Sequence, residues 1–178
     1  MKNVVIISSS PRINGNSELL CKEFCKGATE SGHNVTFVNL RDYKIDYCIG
    51  CYACKTLGEC FKKDDGNKLA KLLLDADVIV FATPFYFYSM SGQLKVFIDR
   101  LTPYYTKIKA DIYLIATMYD RNPNAIESTF EAIRGLTRDC CEGCVEKGVI
   151  VGHSLGRRGK VEGYPDLLSE AYNMGKNC

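Results

Sequence analysis

Five short runs of apolar, largely β-branched residues constrain this chain more than anything else in it. Val4–Ile7 and Val78–Ala82 are continuously apolar rather than alternating, the pattern of strands buried on both faces. Val35–Leu40, Ile112–Ala116 and Val149–Val151 add three more strands. Between them, apolar residues recur at helical spacing. Leu20, Cys21, Phe24, Cys25 and Ala28 predict a helix over Gly15–Ser31 that Gly32 closes, with Cys21 and Cys25 as core thiols. Leu69–Asp75 predicts a short helix, and another opens at Ser89–Gly92 and runs to Leu101. Ile126, Phe130, Ile133 and Leu136 mark a fourth, and Leu167, Leu168, Ala171 and Met174 a last one after Pro165. Strand, helix, strand in succession implies right-handed parallel crossovers. The fold class is therefore α/β: a three-layer sandwich around a five-stranded parallel sheet of order 2-1-3-4-5, spanning residues 1–178 as one domain. Ligands of such sheets sit at the carboxyl ends of the strands, where the winding reverses between strands one and three.

Both loops at that reversal carry chemistry. Ser8–Ser17 reads Ser-Ser-Ser-Pro-Arg-Ile-Asn-Gly-Asn-Ser. Hydroxyls at Ser8, Ser9, Ser10 and Ser17, amides at Asn14 and Asn16, the Arg12 guanidinium and a helix start suit one bound phosphate. A polar turn ending in a helix cap is the plainer alternative. After strand three, Phe85, Tyr86, Phe87 and Tyr88 follow Thr83-Pro84, and four successive aromatics cannot all point into one core.

Together, Ser-Ser-Pro-Arg-x-Asn-Gly-Asn-Ser and Thr-Pro-Phe-Tyr-Phe-Tyr-Ser-Met-Ser-Gly-Gln-Leu-Lys-x-Phe-Ile-Asp-Arg closely resemble the flavodoxin-like NAD(P)H-dependent FMN reductase family, from Met1 to about Gly175. The resemblance implies that Ser10, Arg12, Asn16 and Ser17 hold the FMN phosphate and that Pro84, Phe85, Tyr86 and Phe87 line the flavin ring. It places the loop Thr117–Asn122, with Thr117 and Tyr119, at the pyrimidine end. The chain departs from the family at Ser9, where members often have glycine, and at Met118–Arg121, where relatives often have a glycine-rich turn. Lys95, Asp99 and Arg100 belong to the motif and read as helix and interface structure. The implied activity is transfer of hydride from NAD(P)H through the flavin to a small-molecule electron acceptor such as a quinone or free flavin. No protein nucleophile is required, because the cofactor carries the chemistry. Relatives usually form homodimers or homotetramers, and the pairs Phe87-Tyr88 and Tyr104-Tyr105 are candidates for that surface.

Cys48, Cys51, Cys54 and Cys60 follow Cys-x2-Cys-x2-Cys-x5-Cys in a segment, Arg41–Asp65, long enough to need a purpose. Zinc sites usually set two pairs farther apart, whereas compact runs of thiolates wrap iron–sulfur clusters. Gly50 and Gly58 would let the backbone close around one. The segment resembles the cluster motif of the iron–sulfur flavoproteins, a branch in which a 4Fe-4S cluster exchanges electrons with FMN. Flavin-only relatives also keep cysteines here before an Asp-Asp pair like Asp64-Asp65, and a redox disulfide is a third reading. On the cluster reading the chain is an electron carrier that meets a ferredoxin-like redox partner. A third possibility is an FMN-binding regulatory protein without turnover.

The remaining motifs are weaker. Cys140, Cys141 and Cys144 read as packing at a helix end, with a Cys-x-x-Cys dithiol as alternative. Cys178 is terminal and expected to be disordered. His33 and His153 stand outside any motif. Arg157, Arg158 and Lys160 form either a solvated loop or a contact for NAD(P)H phosphates. A formal net charge of +2 with intermixed signs offers no nucleic-acid surface and no basic membrane patch. Val4–Ile7 is too short for a signal or a membrane span, so a cytoplasmic protein is expected. Ten cysteines in that reducing compartment favour metal or redox chemistry over structural disulfides.

Overall fold

The structure is a computed structural model that describes residues Met1–Cys178. In chain order its elements are β1 (Asn3–Ser8), α1 (Asn16–Glu30), β2 (Asn34–Asn39), α2 (Cys54–Leu57), α3 (Gly66–Leu72), β3 (Val78–Pro84), α4 (Gly92–Asp99), β4 (Asp111–Thr117), α5 (Glu127–Thr137), β5 (Val145–Gly152) and α6 (Pro165–Lys176). The strands form one parallel sheet in the order β2-β1-β3-β4-β5, as the sequence predicts. No helix is long and apolar enough to cross a membrane.

Burial follows the sequence pattern. Val4–Ile7 and Val78–Ala82 are all buried, and their alternate side chains feed two cores on opposite faces of the sheet. Leu94, Phe97, Phe130 and Ile133 close one face from α4 and α5. Leu20, Phe24, Ala28 and Ala171 close the other from α1 and α6. Phe24 meets Tyr113 of β4 edge to face, with centroids 5.2 Å apart.

Three local expectations change. The helix expected over Leu69–Asp75 begins earlier, at Gly66, and ends at Leu72. β5 spans Val145–Gly152 rather than three residues, because its first half is an exposed, polar edge that carries no apolar signal. Cys178 is not disordered: it is 9% exposed and packs in the α1–α6 core, where burial pushes its thiol up.

Helices α1 and α6 approach closely because glycines face each other's backbone. A Cβ on Gly27 would lie 2.1 Å from the Tyr172 carbonyl oxygen, and one on Gly175 would lie 2.0 Å from that of Phe24. Gly175→Ala should therefore force the helices apart, at a cost of about 1–3 kcal/mol. Thermal unfolding should show a melting temperature lower by roughly 3–10 °C.

Candidate functional site

The carboxyl ends of β1, β3, β4 and β5 surround a cleft of about 240 Å³. Ser10, Arg12, Asn16 and Ser17 line one side, with Gly15 between them. Gly15 caps α1 in an extended conformation, and no side chain caps the helix. The first-turn N–H groups thus stay free of the Asn or Ser cap that the plainer reading of the loop requires. A Cβ on Gly15 would stand 2.3 Å from Ser10 Oγ, so a side chain there would displace the Ser10 hydroxyl.

A buried charge braces this loop from behind. Arg41 donates to Glu18 at 2.7 and 3.2 Å and to the carbonyls of Ser10 and Arg12 at 3.3 Å. Burial pushes the Glu18 carboxyl up, but Arg41 and Lys22 outweigh it and hold it below its ordinary value. Ser9 contributes a bridge. Its hydroxyl donates to the Ala82 carbonyl at 2.8 Å and accepts from Ser91 Oγ at 2.9 Å, locking the first loop to the second.

Pro84, Phe85 and Tyr86 form the opposite wall, and Thr117, Met118 and Tyr119 close the end. The Phe85 N–H donates to the Thr117 carbonyl and that of Met118 to Gly152, so these loops extend the sheet's own hydrogen bonding. Leu155 and Gly156 also line the cleft, and sequence reasoning missed both. The one sequence signal was the glycine-flanked basic loop: a Cβ on Gly156 would lie 2.4 Å from the Tyr119 ring.

The structure brings together nine of the twelve candidate cofactor residues and sets Ser8, Asn14 and Phe87 outside the lining. Ser8 is buried in β1, its hydroxyl without a partner. Asn14 sits at φ 55° and accepts from Lys22. Phe87 is fully exposed. Asn16 reaches the cleft but spends its amide elsewhere, donating to the Leu155 and Arg157 carbonyls at 2.9 Å and accepting from the Val161 N–H. It clamps the loop after β5. The aromatic quartet makes a tight turn in which Tyr86 and Ser89 exchange both backbone hydrogen bonds. Phe87 and Tyr88 both have positive φ there, a conformation that favours Asn and Gly. Tyr104, offered as a surface residue, is instead 3% exposed and donates to Asn67.

All four loop cysteines line a second cavity of about 260 Å³, beside Asp99 and Arg100. Cys48 and Cys51 are exposed, Cys54 and Cys60 half-buried. No three of them stand at the spacing of metal ligands. The donor set nonetheless suits a cluster: four thiols face one cavity, the Gly50 N–H donates to Cys48 Sγ at 3.5 Å, and Gly50, Tyr52 and Gly58 adopt left-handed conformations that fold the backbone tightly. Asn67 fixes Cys60 by accepting from its N–H and donating to its carbonyl.

Arg100 is not the interface residue that the sequence suggested. It is 2% exposed and donates to both oxygens of Asp64, at 2.7 and 2.9 Å, and to the Asp46 carbonyl at 2.7 Å. Asp64 also accepts from the N–H groups of Asp46 and Gly66, closing the base of the cysteine loop.

A model of the family described as NADPH-dependent FMN reductase matches residues 2–121. The chain belongs to this family. It is similar to an iron-sulfur flavoprotein of Archaeoglobus fulgidus, 38% identical over 104 residues that make up 58% of this chain and 47% of the relative. It is 40% identical over 100 residues to an iron-sulfur flavoprotein of Methanocaldococcus jannaschii, covering 56% of this chain and 52% of that one. The chain thus spans about half the length of the curated relatives it matches. Among solved structures it resembles an NAD(P)H:quinone oxidoreductase from Methanothermobacter marburgensis, with TM-score 0.76, 16% identity and coverage of 99% and 95% of the two chains. An azoreductase from Bacillus anthracis matches at TM-score 0.74 and 17% identity over the whole of both chains. These two likenesses bear on the fold.

Burial pushes the Asp64 carboxyl up, but Arg100 and the two N–H groups outweigh it and hold it at about 2, below the ordinary 3.8. The folded form binds its proton less readily, so the pair's stabilisation is complete above pH 3.8 and is lost as pH falls through about 2. Asp64→Asn leaves Arg100 buried without its counter-charge and should cost about 3–5 kcal/mol. Urea unfolding at neutral pH checks the loss, and the difference between variant and parent should shrink as the pH approaches 2.

Proposed function

We propose that the chain is an FMN-dependent oxidoreductase of the iron–sulfur flavoprotein type. What carries the reading is the coexistence, in one fold, of an anion-binding cleft at the winding reversal and a four-cysteine cavity. The names of the relatives in two archaea support the cluster, and the family supports FMN and NAD(P)H.

In this reading Arg12, Ser17 and the uncapped first turn of α1 would hold the FMN phosphate, with Ser10 beside them in the cleft. Pro84, Phe85 and Tyr86 form an apolar wall against the ring system, and Thr117 and Tyr119 meet its polar end. When bound, FMN accepts a hydride or single electrons, and a 4Fe-4S cluster on Cys48, Cys51, Cys54 and Cys60 exchanges single electrons. The chain's task is to position both groups and keep water from the cleft. A ferredoxin-like partner would deliver or collect electrons at the exposed side of the cysteine cavity, and a small-molecule acceptor would enter the cleft. The solvent-facing Phe87 and Tyr88, held in a strained turn, suit contact with a second copy in a homodimer or homotetramer.

A second reading, hydride transfer from NAD(P)H without a cluster, is favoured by a basic groove. Arg157, Arg158 and Lys160 line it, and it shares Tyr119 and Gly156 with the cleft.

Anaerobic purification distinguishes the two. The first reading requires about four iron atoms per chain together with flavin absorbance, and Cys54→Ser should lose the iron but keep the flavin. Flavin without iron overturns the cluster. Bleaching by NADPH supports hydride entry, and bleaching only by a reduced ferredoxin supports the partner route. Arg12→Ala should weaken FMN binding about 10- to 100-fold, the worth of a charged hydrogen bond, with flavin fluorescence titration as the measurement.

A further inference from the structure

The turn Cys141-Glu142-Gly143-Cys144 joins α5 to β5 at the end of the sheet opposite the flavin cleft. β5 runs eight residues from Val145 to Gly152, so at about 3.3 Å per residue roughly 25 Å of strand separates the turn from the cleft. The Cys144 N–H donates to the Cys141 carbonyl at 3.1 Å. That bond defines a β-turn, whose first and fourth Cα atoms lie within about 7 Å. Disulfides span Cα separations of about 4.4–6.8 Å, so a bridge between these two residues fits the turn.

The turn is held firmly. Gly143 packs on Lys109 so closely that a Cβ would stand 2.3 Å from the lysine Cγ, and Cys144 Sγ donates to the Ile108 carbonyl at 3.7 Å. Both thiols face a cleft of about 200 Å³. Cys141 forms its floor at 2% exposure, and Cys144 is half-buried above it. Cys140, next in sequence, is exposed and lies outside the cleft.

We infer that Cys141 and Cys144 form a second redox site, a dithiol oxidised reversibly to a disulfide by exchange with a low-molecular-weight disulfide such as glutathione disulfide. The Cys144 thiolate attacks one sulfur of the reagent and expels a glutathione thiolate, leaving a mixed disulfide. Cys141 then loses its proton to solvent, attacks Cys144 Sγ and expels the second thiolate. Two protein thiols are oxidised by two electrons, and one disulfide is reduced to two thiols.

The local chemistry assigns the order. Cys144 is half-buried and Cys141 only 2% exposed, and the closeness of the two thiols lowers that of Cys144 against the opposing effect of burial while raising that of Cys141. Arg134 from α5, Arg138 just past its end, Glu142 in the turn and Glu146 on β5 line the same cleft, with Lys109 packed behind it. Cys144 is thus the attacking group, and Cys141 resolves. The site rests on neither FMN nor iron.

The test exposes the full chain to glutathione disulfide, alkylates the remaining thiols and reads the tryptic peptide Asp139–Lys147, which holds all three cysteines, by mass spectrometry. Parent and Cys140→Ser should both yield a peptide lighter by two hydrogens, with Cys141 and Cys144 protected until dithiothreitol is added. Cys141→Ser should stop at glutathione on Cys144. Full alkylation of the parent peptide, glutathione collecting on Cys140, or loss of the bridge in Cys140→Ser would each overturn the assignment. The parent and Cys140→Ser decide the matter even if Cys141→Ser does not fold.

Discussion

The segment from Tyr43 to Asp65 has almost no regular structure, and its place depends on one buried ion pair. Arg100 ends α4, the helix that begins just after the aromatic turn of the cleft, and its guanidinium holds Asp64 and the Asp46 carbonyl together. An ion pair this deep gives up hydration that its Coulomb attraction only partly restores, so it is a poor means of gaining stability. It is a good means of specifying geometry. A hydrophobic substitute could pack there, but it could not fix both ends of the cysteine loop through directed hydrogen bonds. The pair thereby couples the position of four thiols to the helix that begins beside the aromatic wall of the cleft, with Arg100 and Cys60 on one cavity.

A similar economy operates at the cleft. A phosphate site needs free N–H groups and no competing carbonyls. Arg41 occupies the Ser10 and Arg12 carbonyls from outside while its charge is balanced by Glu18, so the loop keeps its shape and its inward donors remain available. Asn16 is part of the same brace rather than a free ligand. Its amide holds three backbone groups of the loop after β5, which brings Leu155 and Gly156 over the cleft. The strain at Phe87 and Tyr88 runs the other way, because two aromatic residues at positive φ cost stability that nothing inside the chain recovers.

The sheet was legible because a strand buried on both faces has no polar positions to confuse its pattern, as in Val78–Ala82. The glycine and serine loop was legible because its residue types are unusual together. Residues that act across long sequence separation were not. Asp64 and Arg100 lie 36 positions apart and Asn16 and Leu155 139 apart, and nothing local to either partner announces the other. Arg100 and Tyr104 were misplaced for a related reason. A charged or hydroxylated side chain reads as surface until its buried partner is known, and those partners, Asp64 and Asn67, belong to a segment without periodicity. The first half of β5 was missed because an exposed edge strand carries polar residues such as Glu146 and Lys147.

The two ends of the sheet differ in the kind of redox chemistry they can host. The cleft at the carboxyl end, with its anion-binding donors, and the separate cavity of clustered thiols suit groups that accept single electrons. At the amino end, Cys141 and Cys144 sit in a tight turn as two thiols on one cleft, short of the four that hold a cluster, and the chemistry open to them is the two-electron bond between them. Separation by the length of β5 keeps the two apart, since direct exchange between thiols and a distant cofactor requires contact that the strand forbids. The oxidation state of the turn can therefore change without drawing electrons from the cleft. β5 pairs with β4 from Val145 to Gly152, with one register shift at Ile112/Tyr113, so the turn and the Thr117 end of the cleft share one pair of strands.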